Sequence, residues 1–269
     1  MDLNLKDKVV VVTGGSAGIG LETSRLLAEE GARVLLCSRR EEALARAAED
    51  IERSTGTSVD ILSVDVTDLG DIEKLVSHVK ERYGRIDVLV NNAGTGTYKP
   101  FLEVTDEELV HGMAINFFAQ FRITQRFAPM MIDQHYGVVI NVAGETGIRV
   151  LPPPFRSSCT GPAKSAEIRL SKVLATELGE HNIRVNCVVP GYVYTDERFD
   201  KWEREVAQGE LDEEGARAKR KEWGRNIARP DHEWGTALEL ANLIVFAASD
   251  RASYVNGAVL VADGGEDKS

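Results

Sequence analysis

Two rhythms alternate along this chain. Short β-branched runs, apolar at nearly every position, read as strands buried on both faces, and between them lie segments with the 3.6-residue spacing of amphipathic helices. Lys8–Val12 (KVVVV) is the first such run, followed by a glycine turn and a helix around Ile19–Glu30. Arg33–Cys37, Val59–Val66 and Ile86–Asn92 repeat the strand pattern, with helices at Glu41–Arg53 and Asp71–Tyr83 between them. A long helix starts at Thr105, where Thr105 and Glu108 have the spacing of a capping box. Further strands fall at Gly137–Ala143, Ile183–Pro190 and Ala258–Ala262, and further helices at Pro162–Leu178 and Glu239–Ala248. Repeated βα units with right-handed crossovers predict an α/β fold, a single Rossmann-type doubly wound parallel sheet with helices on both faces.

One stretch breaks the rhythm. From Asp196 to Asp231 the chain is dense in charge and rich in helix formers, and it follows the sixth strand, at the carboxyl edge where such sheets bind ligands. Its position predicts a substrate lid over residues 196–236 within a single domain of residues 1–269; a solvated helical excursion is the alternative. No linker, repeat or low-complexity segment divides the chain.

Composition narrows the partners. Hydrophobic residues make up 43% of the chain, enough for a sizeable core. The net charge of −11 argues against nucleic acid and anionic membranes, so a phosphate-bearing ligand needs local features that override the overall field. The N-terminus lacks the apolar stretch of a secretory signal, and no run approaches the roughly 20 apolar residues that span a bilayer. Cys37, Cys159 and Cys187 are odd in number and widely spaced, which predicts neither disulfides nor a metal site and makes a reducing, cytoplasmic location the expectation.

The first strand runs into TGGSAGIG, Thr13 to Gly20. Glycines there permit a tight turn and close approach of a pyrophosphate, and the helix that follows offers its N-terminal amides. With NNAG at Asn91–Gly94, Asn116 in the long helix, PGYVYT at Pro190–Thr195 and DGG at Asp263–Gly265, the chain resembles the short-chain dehydrogenase/reductase family over essentially its whole length. The resemblance implies that Gly14, Ser16, Gly18, Ile19 and Gly20 line a pyrophosphate, and that Asp65 and Val66 flank an adenine. It places Asn92, Ala93 and Gly94 beside ribose and nicotinamide, Lys164 on the ribose hydroxyls, Pro190 and Gly191 at the cofactor, and Thr195 with the Val193 backbone at the carboxamide. It also implies a homodimer or homotetramer acting on a small-molecule substrate.

The end of the second strand selects the cofactor. An NAD-binding chain usually has an acid there; this one has Ser38 followed by Arg39 and Arg40, which leaves room and positive charge for a 2′-phosphate. NADP(H) is the expected cofactor, with NAD(H) the other choice.

The catalytic pattern departs from the family. The resemblance assigns the active-site asparagine to Asn116 and the lysine to Lys164, but the serine position falls on Gly144 and the tyrosine position, four residues before Lys164, on Thr160. No tyrosine in the chain stands four residues before a lysine. The segment between Gly144 and Thr160 is longer than the family's and carries Pro152, Pro153 and Pro154. An aliphatic hydroxyl is a far weaker acid than a phenol, whose pKa is about 10, so Thr160 is a poor proton donor. Glu145, Tyr98 and Tyr192, each adjoining a family signature, are the foremost substitutes; Ser157, Ser158, Cys159 and His111 are others. For each, a structural role is the competing reading.

Three functions stay open. The first is an NADP(H)-dependent oxidoreductase with atypical acid–base chemistry, reducing a conjugated C=C bond, an imine or a carbonyl. The second is a non-redox cyclase, isomerase or lyase. The third is a cofactor-binding pseudoenzyme.

Overall fold

The computed structural model describes residues 2–151, 157–195 and 234–266, together with 212, 214 and 215. Strands β1 (Val9–Thr13), β2 (Arg33–Ser38), β3 (Asp60–Ser63), β4 (Val88–Asn91), β5 (Gly137–Val142) and β6 (Ile183–Pro190) are joined by a last strand, β9 (Val259–Ala262). They form one seven-stranded sheet in the order β3-β2-β1-β4-β5-β6-β9, with every pair parallel. The order reverses between β1 and β4, which opens a crevice at the carboxyl ends of those two strands.

Because side chains alternate across a strand, each run feeds two cores. Val10, Val12, Leu36, Val88 and Val90 pack with Leu27 of α1 (Gly18–Glu29), Leu44 and Ile51 of α2 (Glu41–Thr55), and Leu240 and Ile244 of α7 (Ala237–Ala248). Val11, Leu35, Leu89 and Val139 pack on the other face with Ile72 and Leu75 of α3 (Leu69–Tyr83) and with Ile123 and Phe127 of α5 (Ala119–Gln134). Burial on both faces is why these strands read as continuous apolar runs.

The capping box is present: Thr105 Oγ1 accepts from the Glu108 amide, and Glu108 returns the bond to the Thr105 amide, so α4 spans Asp106–Met113. The long helix is not uniform. Between α4 and α5 the segment Ala114–Phe118 widens into a π turn that contains Asn116. Two boundaries differ from expectation. The third strand stops at Ser63, short of Val66, because Asp65 turns its carboxylate onto the amide and hydroxyl of Thr67. Helix α6 (Thr160–Glu177) starts two residues before Pro162, which suits a proline confined to the first turn.

The predicted lid lies outside the described residues except at 212, 214, 215 and 234–236. Just before it β7 (Val193–Tyr194) and at its end β8 (Gly235–Thr236) pair in parallel, Val193 with Gly235 and Tyr194 with Thr236. Among the described residues no helix is long and apolar enough to cross a membrane.

Candidate active site

The glycine corner is closed by Thr13 at the end of β1 and by Asn92 just after β4. Asn92 Nδ2 donates to the carbonyls of Thr13 (3.0 Å) and Gly14 (3.3 Å), and Thr13 Oγ1 accepts from the amides of Asn92 and Ala93. Gly14 holds φ +67°, which favours glycine, and a Cβ on Gly20 would stand 2.2 Å from the Gly14 carbonyl oxygen. The corner therefore has no room for side chains, and its backbone is left open toward the crevice.

That crevice is an open cleft of about 270 Å3 bordered by Gly14, Ser16, Gly18 and Ile19 from the corner, by Ser38, Arg39 and Arg40 at the end of β2, and by Asp65 and Val66 after β3. Asn92, Ala93, Gly94 and Thr195 complete it. Gly20 lies beneath, where it lets α1 approach the turn. Burial pushes the Asp65 carboxyl up, but hydrogen bonds from Thr67 and the nearby Arg39 and His111 outweigh it and hold the group below the usual carboxylate range. Ser38 Oγ is buried with no hydrogen-bond partner, an orphaned donor beside two guanidinium groups. These features fit a dinucleotide bearing an extra phosphate: open amides for a pyrophosphate, and a hydroxyl and arginines at the adenosine end.

A second cleft of about 260 Å3 continues from the first, sharing Ile19, Asn92, Gly94 and Thr195 with it. Its walls include Gly144, Glu145, Thr160 and Lys164 on one side and Pro190, Gly191, Tyr192 and Val193 on the other. Tyr98 borders it as well. Tyr98, Tyr192, Leu151 and Trp234 form an apolar cluster, with the Tyr192 and Trp234 rings 5.5 Å apart. Both candidate tyrosines therefore line the pocket.

The candidate acid–base residues fall into distinct roles. Thr160 Oγ1 accepts from the Thr97 amide at 3.0 Å, and Ser157 Oγ donates to the Thr97 carbonyl at 2.7 Å, so both hydroxyls tie the start of α6 to the loop after β4. Cys159 is buried. Asn116 is fully buried and does not border the cleft: its Nδ2 donates to the carbonyls of Gly112 and Thr95, and its Oδ1 accepts from the Thr95 amide. It shapes the loop whose Gly94 faces both clefts.

Glu145 borders the cleft at its start, but both its carboxyl oxygens are covered. They face Arg149, which also pairs with Glu266 at 2.7 Å. Two carboxylates thus share one guanidinium; burial, then repulsion from Glu266, push the Glu145 carboxyl up to about 7 against the pull of Arg149.

Lys164 Nζ donates to the Val142 carbonyl at 2.9 Å and to Glu167 Oε2 at 3.0 Å. Glu167 has no exposed surface, and desolvation pushes its carboxyl up to about 7 although Lys164 pulls it down. Neither Glu167 nor the Arg149–Glu266 pair was singled out by the sequence motifs. The signal for Glu167 was available: an acid three positions after Lys164 lies on the same helical face.

Comparison with known proteins agrees with this geometry. A family profile described as short chain dehydrogenase matches residues 8–205. The 3-oxoacyl-[acyl-carrier-protein] reductase FabG of Thermotoga maritima is 34% identical over 265 residues, covering 98% of this chain and 99% of its own. Levodione reductase of Leifsonia aquatica is 34% identical over 262 residues, 97% of this chain and 94% of its own. Among solved structures, L-sorbose reductase from Gluconobacter frateurii, complexed with NADPH and L-sorbose, superposes with a TM-score of 0.92 at 31% identity, covering 100% of both chains.

Proposed function

The chain belongs to the short chain dehydrogenase family of oxidoreductases, and from that premise we propose that it is an NADP(H)-dependent reductase of a small organic molecule in which Lys164 takes over the proton delivery of the missing tyrosine. The observation that carries this reading is the continuity of the two clefts, with Arg39 and Arg40 at the far end of one and Lys164 on the wall of the other. The NADPH bound by the L-sorbose reductase supports the choice of cofactor.

Arg39, Arg40 and Ser38 would hold the 2′-phosphate, the amides of the Gly14–Gly20 corner the pyrophosphate, and Gly94, Val193 and Thr195 the nicotinamide end. When bound, the cofactor supplies a hydride. The protein's own part is to bind and orient the acceptor, exclude water and furnish a proton. Thr160 is unsuited to that task because its hydroxyl is a weak acid and holds the Thr97 amide. Glu145 keeps its carboxyl turned onto Arg149. Lys164 borders the pocket and carries transferable protons. Gly144 offers no side-chain donor to orient a carbonyl oxygen, which favours acceptors that develop little alkoxide: a conjugated C=C bond or an imine ahead of a plain ketone.

The test is NADPH oxidation followed at the nicotinamide absorbance with a panel of enones, cyclic imines and ketones. Turnover of enones or imines ahead of ketones is expected. Tight NADPH binding with no turnover on any of them would overturn the reductase reading in favour of a cofactor-binding protein. Product formed with no absorbance change would instead indicate non-redox chemistry.

A further inference from the structure

The second cleft lies between two walls that belong to different crossovers. The segment after β5 contributes Gly144, Glu145, Thr146 and Leu151, and the end of β6 with the residues after it contributes Pro190, Gly191 and Tyr192. The ladder joining β5 to β6 ends at Val142 and Val188, with one more bond from the Ala143 amide to the Val188 carbonyl. Beyond that row the sheet no longer sets the separation of the walls.

The segment after β9 reaches both. The Gly191 amide donates to the Ala262 carbonyl at 3.0 Å, and Asp263 lies directly against Gly191, where a Cβ would stand 2.6 Å from the Asp263 Cβ. Gly264 and Gly265 then hold φ +72° and +86°, the left-handed region that glycine enters without steric cost. Asp263 Oδ1 accepts from the Gly265 amide at 2.9 Å and closes this turn. Next along the chain, Glu266 pairs with Arg149 at 2.7 Å, its side chain 1% exposed. Arg149 belongs to the other wall: its guanidinium also pairs with Glu145, and its amide donates to the Glu145 carbonyl. Removing one partner of so buried a pair leaves the other charge uncompensated.

Resting on the reading of this cleft as the acceptor pocket, we infer that residues 263–266 are a brace across it, and that Glu266 is a positioning residue which acts through Arg149 to set the width that selects the acceptor. The Asp-Gly-Gly run carries the chain from one wall to the other. Ser165 Oγ pins the first wall independently at the Gly147 carbonyl (2.7 Å), so the part that depends on Glu266 is the stretch beyond it. That stretch ends at Leu151, which packs with Tyr98 and Tyr192 at the apolar end of the pocket. Glu145, Arg149 and Glu266 do not border the cofactor cleft, so the brace acts on the acceptor and not on the dinucleotide.

The test compares the wild type with Glu266→Ala, Glu266→Gln, Arg149→Ala and the double variant Arg149→Ala, Glu266→Ala, all loaded with NADPH. Hydrogen exchange reads the wall without turnover. The amides of Gly147, Ile148 and Arg149, all bonded within the wall, should exchange at least about tenfold faster in Glu266→Ala, with β1 and α1 as slow as in the wild type and NADPH Kd changed less than about twofold. Glu266→Gln, which keeps the side chain's shape and guards against misfolding, should show the same change at smaller size. In turnover of cyclohexenone and a phenyl-substituted cyclohexenone, Glu266→Ala should raise KM for the smaller acceptor at least about fivefold, change kcat less than about twofold, and move the preference toward the bulkier one. The double variant should fall short of the product of the two single effects, because both remove one contact. Unchanged exchange in both Glu266 variants, or single effects that simply multiply, overturns the brace. If neither acceptor turns over while the wall loosens, the reductase reading fails and the brace stands.

Discussion

Replacing Glu145 with glutamine should make the protein more stable at alkaline pH and flatten its stability profile through neutrality. The basis is the crowding of Glu145 and Glu266 around Arg149. The folded carboxyl is raised from 4.5 to about 7, so the folded state holds this proton more tightly than the unfolded chain does. Its stabilising contribution is therefore complete below the unfolded value and is lost as pH rises through the folded one. Between about pH 6 and about pH 8 the loss is on the order of 1 kcal/mol, taking about 1.4 kcal/mol per pKa unit. Glutamine cannot ionise, so this slope should vanish, and Arg149 should be left facing the single carboxylate of Glu266. Glu167 titrates in the same window in both proteins and cancels in the difference. Urea unfolding of wild type and Glu145→Gln at several pH values, compared by midpoint at constant m-value, reads the effect directly. Parallel stability profiles from pH 6 to 8 would refute the reasoning and place Glu145 in a solvated setting.

Gly20→Ala puts a Cβ 2.2 Å from the Gly14 carbonyl oxygen and 2.5 Å from Asn92 Nδ2, which forces the corner open; NADPH affinity by calorimetry should fall at least about tenfold, or about 1.4 kcal/mol. Arg39→Ala with Arg40→Ala should weaken NADPH by about 10- to 100-fold, the equivalent of about 1.5–3 kcal/mol for charged hydrogen bonds, and leave NADH unchanged; equal loss for both cofactors would remove the arginines from the phosphate site. Thr160→Tyr with Gly144→Ser should confer ketone reduction, because a Cβ at Gly144 meets nothing nearer than 3.9 Å and the new serine fits; the lost Thr97 contact should cost about 1 kcal/mol in unfolding experiments.

What could be read from the chain alone was whatever repeats locally. Doubly buried strands announce themselves as runs such as Val9–Val12, and the Thr105–Glu108 cap is a four-residue signal that folded as its spacing demanded. The glycine corner was legible for the same reason, since glycines there answer to a turn made by their immediate neighbours. The chemistry of the second cleft was not. Which side chains face one another around Gly144 and Thr160 depended on distance across the fold. Glu145 meets Glu266 only because β9 runs beside β6, and desolvation then decides that one carboxyl holds a proton near neutrality. Asn116 sits at a candidate catalytic position, yet a π turn directs it onto the Thr95 backbone. Glu167 lay in plain view three residues from Lys164, but its burial belongs to the packed helix and sheet, not to the order of residues.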